Sequence, residues 1–189
     1  MTYAQIAAPA AMPVTLTEAK AHLRVTSGTE DDTITALIAT ATQYLERDTG
    51  QALIDQQWRA YFDCVPADGV LELMRSPVRG IVAVTVYDGA GNGTVLDGSG
   101  YYVNLVARPA RLRLADGVTL AMRANGIEVD FDAGYGETGV DVPDMLKRAV
   151  LVLVAHWYEF RGVFDAADHP VSVPALYARL TRHFRFLSV

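Results

Sequence analysis

Four carboxylates, Asp130, Asp132, Glu137 and Asp141, fall within twelve residues of this chain. That density of hard oxygen donors makes calcium the first chemistry to weigh. Counted from Asp130, Asp141 takes the twelfth position, where a calcium hand places its bidentate glutamate; the sixth, which needs glycine for the sharp turn, is Tyr135. Asp130 and Asp132 also alternate on one face of a strand pattern, so a solvated turn is the better reading. A metal-dependent enzyme centred on this pair is kept as a third hypothesis. "GAGNG", Gly89 to Gly93, could cradle a phosphate only if a strand led in and a helix led out. Here strand follows strand, which makes it a hairpin turn. His22, His156, His169 and His183 show no pair at ligand spacing. Cys64 is the only cysteine, so an intramolecular disulfide and a cysteine-rich zinc site are excluded, and no local base would activate it. With no Gly-x-Ser-x-Gly elbow either, an enzyme reading has nothing positive behind it. No catalytic residue, metal or cofactor is expected.

The charge pattern is more informative. From Val171 to the end there are three arginines, Arg179, Arg182 and Arg185, and no acid, on a chain of net charge −6. Tyr177, Phe184 and Phe186 are interleaved with them. Such a tail could stack on nucleic acid, and a nucleic-acid-binding module is the alternative function. An acidic body repels phosphate, however. Docking into an acidic partner uses the same residues for register and association rate, and is favoured. Removing everything after Val173 is expected to leave a folded body that cannot dock.

The elements that position these residues can be read from periodicity. The composition, 51% hydrophobic and 20% charged over 189 residues, is that of a soluble globular chain. Residues 1–13 lack the basic start and apolar core of a secretion signal and are expected to form a flexible arm. "TLTEAKAHL" opens with Thr15 and Glu18 at capping-box spacing. Glu30, Asp31 and Asp32 then start a second helix carrying Ile34, Leu37, Ile38, Ala41 and Leu45 on one face, stopped by Gly50. Period-two patterns dominate from Gln51 to Asp132, with breaks at Pro77 and Arg108-Pro109. Pro143 then precedes a long helix running to about Arg161. The domain reading is a discontinuous helical domain over 14–50 and 142–189, with a β-rich domain over 51–141 inserted in it.

That long helix has no charge between Arg148 and Glu159, and Val150 to Ala155 are all apolar. The run is far short of the roughly 20 residues a membrane span needs. A helix apolar on every face is buried all round, in its own domain or against another chain. Intersubunit burial centred on Val152 is a serious candidate. Trp157 and Arg161 at the helix end are residue types that anchor interfaces.

Three ordered pieces carry a resemblance. "PVTLTEAKAHLRV" with "DDTITALIATATQYLERDTGQALIDQQW", then "LMRSPVRGIVAVTVYDGAGNGTVLDGSGYYV", then "DAGYGETGVDVPDMLKRAVLVLVAHWYEFRG" resemble phage head-to-tail connector (adaptor) proteins. These come from long-tailed phages, prophages and gene transfer agents. The resemblance implies an α+β protein: an α-helical, ring-forming base with an inserted antiparallel β-rich domain. It implies a homo-oligomeric, dodecameric ring under the portal protein, at the head–tail junction of a virion assembled in the host cytoplasm. It implies a tail-side connector or stopper as the next partner, DNA passing through the channel without specific binding, and no membrane. Val152, Trp157, Arg161, Arg179, Arg182, Phe184 and Arg185 are the candidate portal or subunit contacts.

Overall fold

The computed structural model describes residues 1–118, 126–160 and 173–186. The chain forms two compact units, one of Met1–Ala10 with Asp55–Gly134, the other of Ala11–Ile54 with Tyr135–Val189. The architecture is α+β.

The first unit holds eight described strands: β1 (Thr2–Ala7), β2 (Gln56–Phe62), β3 (Val70–Leu73), β4 (Val78–Tyr87), β5 (Gly93–Val95), β6 (Tyr101–Asn104), β7 (Ala110–Leu114) and β8 (Ile127–Ala133). They form a sheet of order β1-β2-β8-β4-β5 and a sheet of order β3-β7-β6, with every recorded pairing antiparallel. Alternation sets the faces. Ala60 and Phe62 of β2, Val84 and Val86 of β4, and Ile127, Val129 and Phe131 of β8 are all buried. The opposite face of the same strands carries charge. Arg59 sits in register with Asp130 and grips it at 2.6 and 2.8 Å, and Glu128 lies 3.2 Å away.

Residues 1–13 were expected to be a flexible arm, and here the structure differs. Thr2–Ala7 is an edge strand paired with β2, from Thr2↔Tyr61 to Ala7↔Gln57. Tyr3 pins it: its ring meets Phe131 edge-on, and its hydroxyl accepts from Met74 N at 2.7 Å and donates to Glu72 O at 3.3 Å. Burial pushes the Tyr3 hydroxyl up to about 12, so it stays protonated at neutral pH.

The second unit holds α1 (Leu16–Leu23), α2 (Asp31–Thr49), α3 (Asp144–Glu159) and α4 (Ala175–Thr181). Thr15 and Glu18 form the reciprocal capping box: Thr15 Oγ1 accepts from Glu18 N at 3.2 Å, and Thr15 N donates to Glu18 Oε2 at 2.7 Å. Gly50 ends α2 in the left-handed region at φ 72°, where its N–H reaches Glu46 O. Residues 51–54, read from sequence as the start of the β block, belong with the helices. Ala52, Leu53 and Ile54 are buried, and Leu53 N donates to Glu46 Oε1 at 2.7 Å.

The turn into α3 depends on glycine in two ways. Gly134 has φ 151°, and a Cβ there would lie 2.5 Å from the backbone of Asp55. Gly136 needs space, because a Cβ would overlap the Asp141 side chain.

Most of α3 is covered by its own chain. Leu146, Ala149, Val150, Leu153, Val154 and Tyr158 are buried in a core with Ile34, Ile38, Ala41 and Leu45 of α2 and Tyr177 of α4. The apolar run therefore satisfies its own domain first. Of the two covers the sequence left open, its own domain supplies most, and another chain could add to it only along a strip of Met145, Arg148, Val152, Ala155 and Glu159. There Met145 is exposed and Val152 and Ala155 are half-buried. Among the described residues no helix is long and apolar enough to cross a membrane.

Candidate assembly interface

The C-terminal segment is bound to its own helical unit by a small set of polar contacts. Tyr177 is 1% exposed, and its hydroxyl donates to Asp48 Oδ2 at 2.8 Å. The same oxygen accepts from Arg185 Nη2 at 2.7 Å and Nε at 3.2 Å. Burial first, and then the acceptor Asp48, drive the Tyr177 hydroxyl well above the usual tyrosine range. The hydrogen bond to Asp48 likewise raises Arg185. Gln51 Nε2 donates to Phe184 O at 2.8 Å, while Gln51 Oε1 accepts from the Tyr135 hydroxyl at 2.8 Å. So α2, the turn before α3, and the tail meet around two side chains, Asp48 and Gln51.

The sequence candidates divide on this frame. Arg185 is engaged with Asp48, and Phe184 is half-buried against the core. Trp157 is half-buried and meets Tyr44 edge-on at 5.8 Å; Tyr44 in turn meets Tyr177 at 5.7 Å. Arg179 and Arg182 point to solvent together with Leu176, which is 48% exposed, and Arg182 Nε donates to His183 Nε2 at 2.9 Å. Val152 lies on the open strip of α3. Arg161 lies outside the described residues. Asp48, Gln51, Tyr44 and Tyr135 were not read from the sequence as site residues. Their only signal is spatial, since Asp48 and Arg185 are 137 positions apart.

The acidic stretch has other occupations. Asp130 is held by Arg59, Asp132 accepts from Gln57 Nε2 at 3.2 Å, and Asp141 Oδ2 accepts from Thr138 N and Oγ1 at 3.1 and 3.0 Å. Among the described residues no group of three or more His, Cys, Asp or Glu could hold a metal ion. The Gly89–Gly93 segment is the β4–β5 turn, where Asp88 Oδ1 accepts from Ala90 N and Asn92 N. His22 faces Arg148, and burial, then that cation, lower its pKa. The surface that remains carries an arginine-bearing tail face and a half-open apolar strip.

Residues 13–91 match the model of the phage gp6-like head-tail connector protein family. Over all of the chain the fold matches a protein in the neck of an empty gene transfer agent particle computed with C6 symmetry, at TM-score 0.79 and 24% identity, covering 97% of that protein. A protein in the virion of a native gene transfer agent particle matches at TM-score 0.78 and 26% identity, with 100% of this chain and 97% of that one covered. The resemblance read from the sequence is borne out. A third match, in the neck of a native particle computed with C12 symmetry, has TM-score 0.71 and 24% identity over 100% of this chain and 97% of that one. No curated protein matches significantly. The chain has a connector's sequence pattern across its N-terminal part and a particle-neck protein's fold throughout.

Proposed function

We propose that the protein is a structural head-tail connector of a tailed phage or gene-transfer-agent particle. It forms an oligomeric ring at the head–tail junction that joins the portal protein to the next tail-side component and lets DNA pass. The observation that carries this reading is the agreement of two independent likenesses, the family match over 13–91 and the fold match along the whole chain. The C6 and C12 symmetry of the particle necks supports a ring, and a twelve-fold one accords with both. A net charge of −6 suits a channel wall that must not hold DNA. The role is assembly, not turnover, and needs no cofactor; the copies assemble in the host cytoplasm.

Arg179, Arg182 and Leu176 are the proposed portal-facing contacts, with the Met145–Val152–Ala155 strip and Trp157 as the proposed contacts to neighbouring copies; Arg161 is a candidate from the sequence alone. A nucleic-acid module built on the tail is disfavoured, because Arg185 and Tyr177 are already engaged within the chain. Truncation after Val173 is also the wrong test. It would remove Tyr177 and Thr181, both in the buried interior, and unfold the domain it means to spare. Charge reversal on the surface is cleaner. Arg179→Glu with Arg182→Glu leaves the chain folded, and particles carrying it accumulate as tailless heads with the chain missing from the neck. Normal tailed particles from that variant would refute the docking role. Electron microscopy of wild-type particles without a ring of this chain at the neck would refute the connector reading itself.

A further inference from the structure

The β-rich unit carries two surface features of opposite character. One is a knob. In the turn between β6 and β7, Leu105 and Val106 stand in solvent, Val106 being 91% exposed, and Tyr102 and Val103 of β6 are exposed beside them. The tip has a defined shape, since Asn104 Oδ1 accepts from Val106 N and Ala107 N, each at 3.1 Å. From Tyr101 to Leu114 the chain has three arginines, Arg108, Arg111 and Arg113, and no acid. Apolar side chains left in solvent at a basic turn do nothing for the stability of a lone chain and point to an interaction surface.

The other feature is a depression of about 460 Å³ beside β3, lined by Phe62, Val70 and Met74 and by the acidic Asp63, Asp68 and Glu72. β3 and β6 are the two opposite edges of the three-stranded sheet. Glu72 is paired with Arg111 of the same chain at 3.4 Å, so one unit bears an apolar knob flanked by Arg108 at one edge and, at the other, a partly apolar hollow whose lining includes Asp63 and Asp68. Complementary surfaces at different places on one molecule make a heterologous contact, which closes into a ring when repeated.

We propose that the β6–β7 knob of one copy docks in the β3-edge depression of the next copy. The contact rests on the ring reading above and gives the β-rich unit a place in it. Leu105 and Val106 fill the hollow, while Arg108 faces the acids of the neighbour and sets register more than affinity.

Cys64 is exposed and lines the same depression, so the protein carries its own probe. Assembled particles containing the Val106→Cys chain are oxidised and resolved without reductant. The expected result is a ladder of covalent multimers up to the full ring, absent when Cys64→Ser is combined with Val106→Cys. Alkylation of Cys64 in wild-type particles needs no substitution at all: its rate should fall at least tenfold relative to the dilute free chain. Tailed particles with a normal complement of the Val106→Cys chain and no ladder overturn the contact and leave the connector reading intact, as does equal Cys64 reactivity in the two states. A DNA mobility shift by the free chain, lost on Arg108→Glu with Arg111→Glu, in particles showing no ladder, overturns it in favour of nucleic acid. Necks that lack even the wild-type chain overturn both.

Discussion

Replacing Asp48 by alanine removes the acceptor from the Tyr177 hydroxyl and the counter-charge from Arg185 in one step. The two losses differ in size. Tyr177 is 1% exposed, so its hydroxyl would be stranded in the interior at a cost of about 1–3 kcal/mol. The Arg185 side chain is 40% exposed, so screening holds its pairing to about 0–1 kcal/mol. The sum is roughly 1–4 kcal/mol, most of it from the tyrosine. Tyr177→Phe deletes the donor instead and leaves Asp48 paired with Arg185, for about 0.5–1.5 kcal/mol. In the double variant only the half-exposed Arg185 loses its partner and no buried hydroxyl is stranded, so its cost falls below the sum of the two by about 1 kcal/mol or more. Equilibrium urea unfolding followed by Trp157 fluorescence in a Trp58→Phe background measures this, because Trp157 touches Tyr44 and Tyr44 touches Tyr177. An Asp48→Ala cost under about 0.5 kcal/mol, or an additive double variant, would refute the view that Asp48 anchors the tail.

Other substitutions probe separate parts of the chain. Gly134→Ala should cost at least about 2 kcal/mol, since φ is 151° and Asp55 backbone occupies the space; a thermal midpoint unchanged from wild type would show that the turn can relax. Glu18 titrates below its ordinary 4.5, chiefly through the Thr15 backbone N–H and then Lys147. Its stabilisation is therefore complete above that value and is lost as pH falls through the depressed one. Glu18→Gln should flatten the acid limb of the stability curve, modestly because the side chain is 42% exposed; identical acid slopes would contradict this. Thr15→Ala should cost about 1 kcal/mol by opening the same capping box, read as a lower urea midpoint.

What could be read from residues alone was whatever nearby residues determine. The capping box at Thr15 and Glu18, the glycine stop of α2, the β4–β5 turn and the proline start of α3 all depend on contacts a few positions apart, and each stands where periodicity placed it. The charge of the tail was equally plain. Tertiary structure decided the rest. Thr2–Ala7 looks like a loose arm until Gln56–Phe62 offers it a sheet edge. A helix apolar on every side looks like intersubunit surface until α1, α2 and α4 cover all but one strip of it. Arg185 reads as a docking charge until Asp48, 137 residues earlier, takes it. Local pattern says which residues must leave water or find a counter-charge; only the closed chain determines which partner, its own or another copy's, each of them meets.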